Sequence, residues 1–388
     1  MKLPILTLAA AGFAVVTTEF VIIGVLPQLA ADLGVTIAQA GLLATIFAFT
    51  VAIAAPFLTA LVAQIERKKL FVTLLAMIAV SNVLTAFAPT FETLAAARVI
   101  GALALPVFWA VGTASAAQLG GPEAGGKSLA ILYASISAGT VIGIPLGTLL
   151  ADLMGWRVMF GAIGVLAAIM SLALLAFFPT NKPEVAPSLL KQASILKRSM
   201  FLGHLVLTAF AFTSMFLAYT YLADILQSLA SVPASQVAWV LMGFGIVGLL
   251  GNWIAGQYVD RSPMGVTVVS LASLAVSSFA TVSLTGQGSL FLIPLAIWGA
   301  AQSAGFIGNQ LRVMKEAPEA QEFASALSVT IAQVGIGLGA LIGGLVIDAQ
   351  GLAALGSANA MIGIVGLVVA AIISLMIRTS RTVAVPAE

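Results

Sequence analysis

Residues 139–155 read GTVIGIPLGTLLADLMG, and residues 335–351 read GIGLGALIGGLVIDAQG. The two stretches share three glycines at four-residue steps, then an aspartate and a final glycine, at a constant offset of 196 residues. The dipeptide Glu66-Arg67 is similarly related to Asp260-Arg261 at an offset of 194. Self-similarity at a fixed period is the sequence signature of an internal structural repeat. The chain is therefore predicted to consist of two similar halves.

Both copies lie in a chain with the composition of a membrane protein. Of its 388 residues, 61% are hydrophobic and only 8% are charged, whereas soluble domains carry about 25% charged residues. Apolar runs close to the ~20 residues that cross a bilayer as a helix recur along the whole chain. We count twelve, at about residues 5–28, 37–62, 70–89, 93–118, 128–151, 158–179, 200–226, 235–258, 265–286, 289–313, 323–347 and 353–377.

The longest polar interruption, residues 181–199, divides six spans from six. We therefore predict an all-α membrane protein with twelve transmembrane helices in two six-helix bundles. The first bundle covers residues 1–180, a cytoplasmic linker covers 181–199, and the second bundle covers 200–388. Two six-span repeats related by an axis along the membrane normal are the architecture of one large class of transporters.

The distribution of charge predicts the orientation. If the N-terminus is cytoplasmic, all of the basic residues except Arg98 and Arg157 lie in inside loops. Acidic residues such as Asp32 and Asp224 then lie at the outside edges of the spans. The positive-inside rule then places both termini of this multi-pass membrane protein in the cytoplasm. The basic residues assigned to inside loops are Lys2, Arg67, Lys68, Lys69, Lys127, Lys182, Lys191, Lys197, Arg198, Arg261, Arg312, Lys315, Arg378 and Arg381.

Several classes of function are disfavoured. The basic residues lie in short loops rather than on one folded face, so no nucleic-acid partner is expected. The sequence has no cysteine, one histidine, no P-loop and no hydrolase motif, so we expect no metal, no cofactor and no enzymatic activity. We find no segment that resembles a channel filter. Without an ATPase motif, the energy for transport would come from a gradient.

Glu19 and Arg98 are ionisable residues inside predicted spans, at similar depths below the outside ends of spans 1 and 4. An ionised side chain there costs at least ~2.5 kcal/mol, so such a residue indicates a functional site with a partner. An ion pair with Arg98 favours the ionised form of Glu19, whereas burial favours the neutral form. Exchange between these environments would load and release a proton. The alternative is a permanent ion pair that only fixes helix packing.

The segment Thr17–Leu33, TTEFVIIGVLPQLAADL, resembles the acidic first-helix signature of the major facilitator superfamily, in its twelve-span drug/proton antiporter branch. That branch includes arabinose-efflux-permease-like and purine-efflux-like proteins. Residues 98–101, RVIG, are similar to its fourth-helix arginine motif, and residues 139–147 to its fifth-helix antiporter motif. Residues 256–261, GQYVDR, resemble the cytoplasmic loop motif of the superfamily, whereas the first-half counterpart lacks its glycine and aspartate.

The resemblance implies roles for particular residues. Glu19 and Arg98 would couple transport to protons, in a cavity between the two bundles. Substrate contacts are expected from polar and aromatic residues of the cavity helices, although interfacial anchoring is an alternative for each aromatic residue. These residues are Thr18, Trp109, Tyr219, Gln302 and Asn309. Tyr221 is a further candidate, but it lies near an outside end, where anchoring is favoured. His204 is either a proton relay or a solvated residue at the inside end of span 7.

Small residues let helices approach closely, so the repeated glycines predict tight packing and, with Pro145, a kinking or sliding interface between the halves. Static packing is the alternative. The conformational residues are Gly139, Gly143, Pro145, Gly147, Gly335, Gly339, Gly343, Asp260 and Arg261.

The predicted function is proton-coupled efflux, by alternating access, of a small neutral or amphipathic compound that resembles a drug, sugar or nucleobase. The partners are that compound, protons and the lipid bilayer, and the protein is expected to act as a monomer. A symporter or facilitator that imports a nutrient is the nearest alternative, and a sensor that transports nothing is a more distant one.

Overall fold

The computed structural model describes residues 2–62, 64–180 and 193–383, which are helical and contain no strand. Twelve of its segments are long and apolar enough to cross a membrane, which confirms the predicted number of spans. The helices are Lys2–Phe20 and Ile22–Leu33 (span 1), Ile37–Leu61 (span 2), Arg67–Ala86 (span 3), Phe91–Ala138 (span 4 and the start of span 5), Ile144–Met154 (the rest of span 5), Trp156–Phe177 (span 6), Ser199–Leu217 and Leu222–Asp224 (span 7), Ala234–Tyr258 (span 8), Pro263–Ser283 (span 9), Leu292–Glu316 (span 10), Gln321–Gln350 (span 11) and Leu355–Val383 (span 12).

The residues Phe91–Ala138, which include span 4 and the start of span 5, are helical throughout. The sequence instead predicts a break near residues 119–127. The chain nevertheless reverses direction between spans 4 and 5. The rings of Trp109 and Tyr133 are 6.4 Å apart, whereas 24 residues of straight helix would separate them by about 36 Å. Most of the predicted linker, at residues 181–192, lies outside the described residues, and Ser199 already begins span 7.

The repeated glycines occupy equivalent places in the two halves. In span 5, Gly139 and Gly143 lie against Val16 and Thr17 of span 1, and Gly147 lies against Val21. In span 11, Gly335 and Gly339 lie against residues 209–217 of span 7, the counterpart of span 1. Gly343 is buried. The close contacts of these glycines are thus with the first helix of their own half, where a side chain would overlap a neighbour.

The two copies differ in helical geometry. Residues Gly139–Gly143 form a π-helical turn, in which Ile144 N–H bonds the Gly139 carbonyl five residues back. Pro145 follows this turn, and its missing N–H removes one bond of the regular ladder. The equivalent position in the second copy is Leu341, and the helix Gln321–Gln350 is regular there. The proline thus accounts for the presence of a π-helical turn in only one of the two repeats.

The chain forms two compact units, and their division differs from the predicted one. The first comprises residues 1–186 together with Tyr219–Ile246, and the second comprises 187–218 and 247–388. The outer part of span 7 and the start of span 8 therefore pack with the first six spans. The turn Leu222–Asp224 lies against Ile22–Leu33 of span 1, and Tyr221, which is fully buried, lies against Gly41 of span 2. Interfacial anchoring is thus wrong for Tyr221.

An ion pair joins two helix ends at the outer edge of the first unit, beyond the predicted end of span 1. Arg157 donates to the carboxylate of Asp32, as does Trp156 Nε1 at 3.1 Å, and the guanidinium lies 4.2 Å from the Trp156 ring. The hydrogen bond from Arg157 holds the pKa of Asp32 below its usual range, although partial burial opposes this. The contact attaches the turn between spans 5 and 6 to the end of span 1.

We expect Gly339→Ala to lower stability more than Gly143→Ala. A Cβ atom on Gly339 would lie 2.7 Å from the Thr213 carbonyl oxygen, so the backbone of span 7 would have to move. At Gly143 the obstacle is the side chain of Thr17, which can rotate. Overpacking typically costs about 1–3 kcal/mol. The measurement is the thermal unfolding midpoint of the purified protein in detergent.

Gly161→Ala is the matched control, because a Cβ atom there would meet nothing within 4 Å. This substitution should leave the midpoint unchanged or raise it slightly, since alanine favours a helix by about 0.5–1 kcal/mol over glycine. Equal midpoints for the Gly339 and Gly161 variants would contradict the close packing of spans 7 and 11.

Candidate functional site

Span 1 is interrupted beside Glu19. The first helix ends at Phe20 and the second begins at Ile22, and Gly24 N–H bonds the Val21 carbonyl only three residues back. The hydroxyls of Thr17 and Thr18 both bond carbonyls four residues earlier, at 2.8 and 2.9 Å. Such bonds weaken and bend helices. The interruption therefore follows from the sequence just before Glu19.

Arg98 binds the main chain at this interruption. Its Nη2 donates to the carbonyl oxygens of Thr18 at 3.2 Å and Glu19 at 3.3 Å. The side chain is only 2% exposed, and its guanidinium lies 4.7 Å from the Phe47 ring and 5.7 Å from the Phe160 ring. Cation–π contacts of this kind stabilise a desolvated guanidinium. Arg98 of span 4 thus joins spans 1, 2 and 6 of the first unit.

The structure brings the two predicted coupling residues together. Glu19 is 8% exposed, and its charge interacts with that of Arg98. The hydrogen bonds from Arg98 to the Thr18 and Glu19 carbonyls are to main-chain oxygens, so they do not depend on the charge of the Glu19 carboxylate. Arg98 can therefore remain in place when Glu19 takes up a proton.

Asn82 of span 3 is a member of this site that sequence reasoning missed. Its Nδ2 donates to Thr18 Oγ1 at 3.1 Å and to the Ile78 carbonyl at 2.8 Å, and the side chain is 1% exposed. Thr18, predicted to contact substrate, is itself 1% exposed. In this structure its hydroxyl links Asn82 to the Ala14 carbonyl. A lone intramembrane amide is the only signal for Asn82 in the sequence, and such residues commonly join helices.

Trp109 lies three turns further along span 4, on nearly the same helical face as Arg98. Its ring is parallel to that of Tyr133 in span 5, with 6° between the planes, and packs edge-on against Phe108. Gly12 of span 1 lies close to Ser135 of span 5, and the far edge of the indole is near it. Trp109 is partly exposed and Tyr133 is 46% exposed, so the pair presents an aromatic surface. Tyr133 was not predicted as a site residue.

Tyr219 belongs to the same unit as Glu19 rather than to the second unit. It is 8% exposed, and its ring stacks on that of Phe244 of span 8, 5.3 Å away and at 20°. The predicted substrate residues of the first unit are thus Thr18, Trp109 and Tyr219.

In the second unit, Gln302 and Asn309 lie two turns apart on span 10. Gln302 is 4% exposed, and neither atom of its amide has a hydrogen-bond partner among the described residues. Asn309, in contrast, donates to the Gly305 carbonyl and accepts from Arg312 Nη2 at 2.8 Å. Of the two predicted substrate residues, Gln302 has the uncommitted hydrogen-bonding groups.

The assignment of Arg312 to an inside loop is wrong. Arg312 lies within the helix Leu292–Glu316 and is 2% exposed, because Asn309 and span 7 supply acceptors for its guanidinium. The interpretation of His204 as a solvated residue is also wrong, since it is 4% exposed. Asp224, expected at an outside edge, is buried and accepts from Ser228 Oγ at 2.8 Å.

The cytoplasmic loop motif lies between spans 8 and 9. Asp260 and Arg261 are exposed, and Lys315 at the end of span 10 donates to the Asp260 carbonyl. This contact is within the second unit and ties the loop to span 10.

Comparisons with known proteins give a consistent result. Residues 8–340 match the sequence model of the Major Facilitator Superfamily. The inner membrane transport protein YdhP of Escherichia coli (strain K12) is 30% identical over 96% of this chain and 95% of its own. A protein of Mannheimia succiniciproducens named "Probable sugar efflux transporter" is 29% identical over 94% of this chain and 92% of its own. The fold is also similar to the crystal structure of a mutant of the nucleoside transporter NupG, with a TM-score of 0.76 and 17% sequence identity. The alignment covers 97% of this chain and 99% of the NupG chain.

Proposed function

Because the chain belongs to the Major Facilitator Superfamily and is a multi-pass transporter of a bacterial inner membrane, we propose that it exports a small organic compound in exchange for protons. Glu19 is the proton-binding residue, and Arg98 sets the electrostatic environment in which it binds and releases the proton. The substrate is neutral or amphipathic, and transport proceeds by alternating access.

The observation that carries this proposal is the anchoring of Arg98 by main-chain carbonyls and two aromatic rings. A guanidinium held in this way is a fixed positive charge beside a buried carboxylate. It favours the ionised form of Glu19, whereas burial favours the neutral form. A change in solvation at Glu19 is then enough to change its protonation without displacing Arg98. This is the property that a proton-coupling site requires.

The substrate class follows from the groups available. The parallel rings of Trp109 and Tyr133, both in the first unit, offer apolar faces to a ring-shaped compound. Such a surface suits a sugar or a nucleobase-like ring better than a polyanion, for which several cations would be needed. In the second unit, the Gln302 amide has donor and acceptor atoms without a partner among the described residues. The name of the Mannheimia relative, a sugar efflux transporter, agrees with this proposal.

Transport into proteoliposomes with an imposed pH gradient tests the proposed function. Radiolabelled sugars and nucleobases are the panel, and a pH-sensitive dye reports proton movement. We expect at least one compound to move against the direction of proton flow, in a protein-dependent manner. Movement in the same direction as protons would establish the nutrient importer instead, and a panel in which nothing moves would contradict transport of this substrate class.

A further inference from the structure

A second cluster of ionisable residues lies in the second unit, at the end of spans 7 and 10 that the sequence places near the cytoplasm. Its centre is His204, the only histidine of the chain. The side chain is 4% exposed, and neither ring nitrogen has a hydrogen-bond partner among the described residues. Polar groups buried in this way are rare unless they have a function.

Glu316 is the acidic neighbour of His204. Its Oε2 lies 3.8 Å from His204 Nε2, which is outside hydrogen-bonding distance but within the range of an ion pair. The Glu316 side chain is 29% exposed, so this carboxylate lies between the buried imidazole and the protein surface. A proton on Nε2 would turn this contact into a charge-assisted hydrogen bond after a movement of about 1 Å.

Arg312 fixes the main chain on the other side of His204. Its Nη1 donates to the His204 carbonyl at 3.0 Å, and its Nη2 donates to Thr208 Oγ1 at 2.9 Å and Asn309 Oδ1 at 2.8 Å. These acceptors are neutral, so the positive charge of Arg312 opposes protonation of the imidazole, as burial does. The neutral form of His204 therefore fits the conformation observed.

The other charged groups near this end are mainly basic. Arg198, just before span 7, pairs with Glu319 at 2.7 Å, and Lys197 lies on the short helix that packs against span 7. Lys315 binds the Asp260 carbonyl of the loop before span 9. The described side chains of span 12 carry no charge, and those of span 11 carry only Asp348, at its opposite end. Glu316 is thus the acidic group placed to receive a proton shared with His204.

We propose that His204 and Glu316 form a second proton-binding site, near the cytoplasmic end of the second half. The conformation observed is its unprotonated form. Water entering from the cytoplasmic side reaches Glu316 first and delivers the proton to His204 Nε2, where the charge of Glu316 stabilises the imidazolium. Arg312 and Thr208 hold the backbone of span 7 throughout, since their bonds involve neither ring nitrogen.

The architecture of the two halves supports this assignment. Each half has one buried arginine in its fourth span that donates to main-chain carbonyls of its first span: Arg98 to Thr18 and Glu19, and Arg312 to His204. Each arginine lies next to a buried ionisable side chain. The two sites lie toward opposite ends of their respective spans, and His204 is near the cytoplasmic end of span 7.

The single histidine allows a direct test by nitrogen NMR. The protein is labelled with ¹⁵N-histidine, purified without a polyhistidine tag and titrated in nanodiscs between about pH 5 and pH 9. The two ring nitrogens resonate far apart in neutral imidazole and close together in imidazolium. We expect a reversible conversion to imidazolium within this range. A spectrum that stays neutral down to pH 5 would overturn the proposal.

Glu316→Gln is the decisive variant, and Asp348→Asn, at the opposite end of the second half, is its control. Loss of the carboxylate should lower the proton affinity of His204 about tenfold or more, since an opposite charge within ~4–6 Å has effects of this size. Asp348→Asn should leave the titration unchanged.

An unchanged titration in Glu316→Gln would exclude Glu316 as the partner. If that variant does not fold, Glu316→Asp should give a smaller shift in the same direction, and no shift would again exclude it. The readout involves neither substrate nor Glu19, so its failure is separate from that of the proposed function.

Discussion

Glu19→Gln is expected to abolish proton-coupled transport while the protein stays folded. Glutamine has nearly the same shape as glutamate but cannot bind and release a proton at physiological pH. The variant would therefore resemble permanently protonated Glu19. Arg98 should keep its bonds to the Thr18 and Glu19 carbonyls, because these acceptors belong to the main chain. Transport driven by an imposed pH gradient should fall to background in proteoliposomes.

Exchange of substrate across the membrane without a gradient separates a coupling defect from a binding defect. We expect Glu19→Gln to retain such exchange if substrate binds elsewhere in the site. Stability should change by no more than about 1–2 kcal/mol, since removing a buried charge also removes its desolvation cost. A thermal unfolding midpoint close to that of the wild type would confirm that the fold is retained.

Glu92→Gln provides the matched control for the charge change. Glu92 is exposed in the first turn of span 4, the helix that carries Arg98. Its substitution should leave gradient-driven transport unchanged. Gradient-driven transport that survives in Glu19→Gln at the wild-type rate would contradict the assignment of Glu19, and loss of transport in both variants would point to a general effect of charge.

The twelve spans could be predicted because a lipid environment leaves a polypeptide few choices. Each backbone group must bond within its own segment, so a long apolar run is a helix whatever its neighbours are. The spacing of Gly139, Gly143 and Gly147 likewise predicted a close helix contact. It did not identify span 1 as the partner, because a glycine stripe carries no information about the helix it faces. Pro145 predicted an irregular span 5, where the structure has a π-helical turn.

The candidate site was less predictable. Glu19 and Arg98 could be paired from their similar depths, but the binding of Arg98 to the Thr18 and Glu19 carbonyls beside the interruption of span 1 had no signal in the sequence. Arg312 was misplaced because it lies four residues before the end of span 10, where charge alone does not distinguish a buried arginine from a loop residue. The spacing of Asn309, Arg312 and Glu316 along one helical face was the signal that the sequence offered.

The segment Tyr219–Ile246 closes on the first unit through glycines. Gly41 of span 2 lies against the fully buried ring of Tyr221, and Gly245 of span 8 would place a Cβ atom 2.9 Å from Val141 Cα of the π-helical turn. A methyl group at either of these glycines would overlap a neighbour. The predicted topology puts this segment at the outside of the membrane, so its packing would control access from that side.

Gly41→Val is therefore expected to keep this segment from packing and to open the site to the outside. The valine would overlap the phenol of Tyr221. Overpacking typically costs about 1–3 kcal/mol, and about 1.4 kcal/mol already shifts a population tenfold. The chain contains no cysteine, so one introduced cysteine is a unique reporter. Ala223→Cys suits this purpose, because Ala223 lies within the segment and is completely buried.

The measurement is the rate at which a membrane-impermeant maleimide labels Ala223→Cys from outside in intact cells. We expect labelling about tenfold or more faster with Gly41→Val than without it. Gly161→Val is the control, since its added Cβ meets nothing within 4 Å, and it should leave the rate unchanged.

Equal labelling rates with and without Gly41→Val, with the Gly41 variant folded, would mean that the contact between Gly41 and Tyr221 does not limit opening. Faster labelling together with loss of gradient-driven transport would instead identify this contact as the outer closure of the transport cycle, because a transporter that cannot close outside cannot complete alternating access.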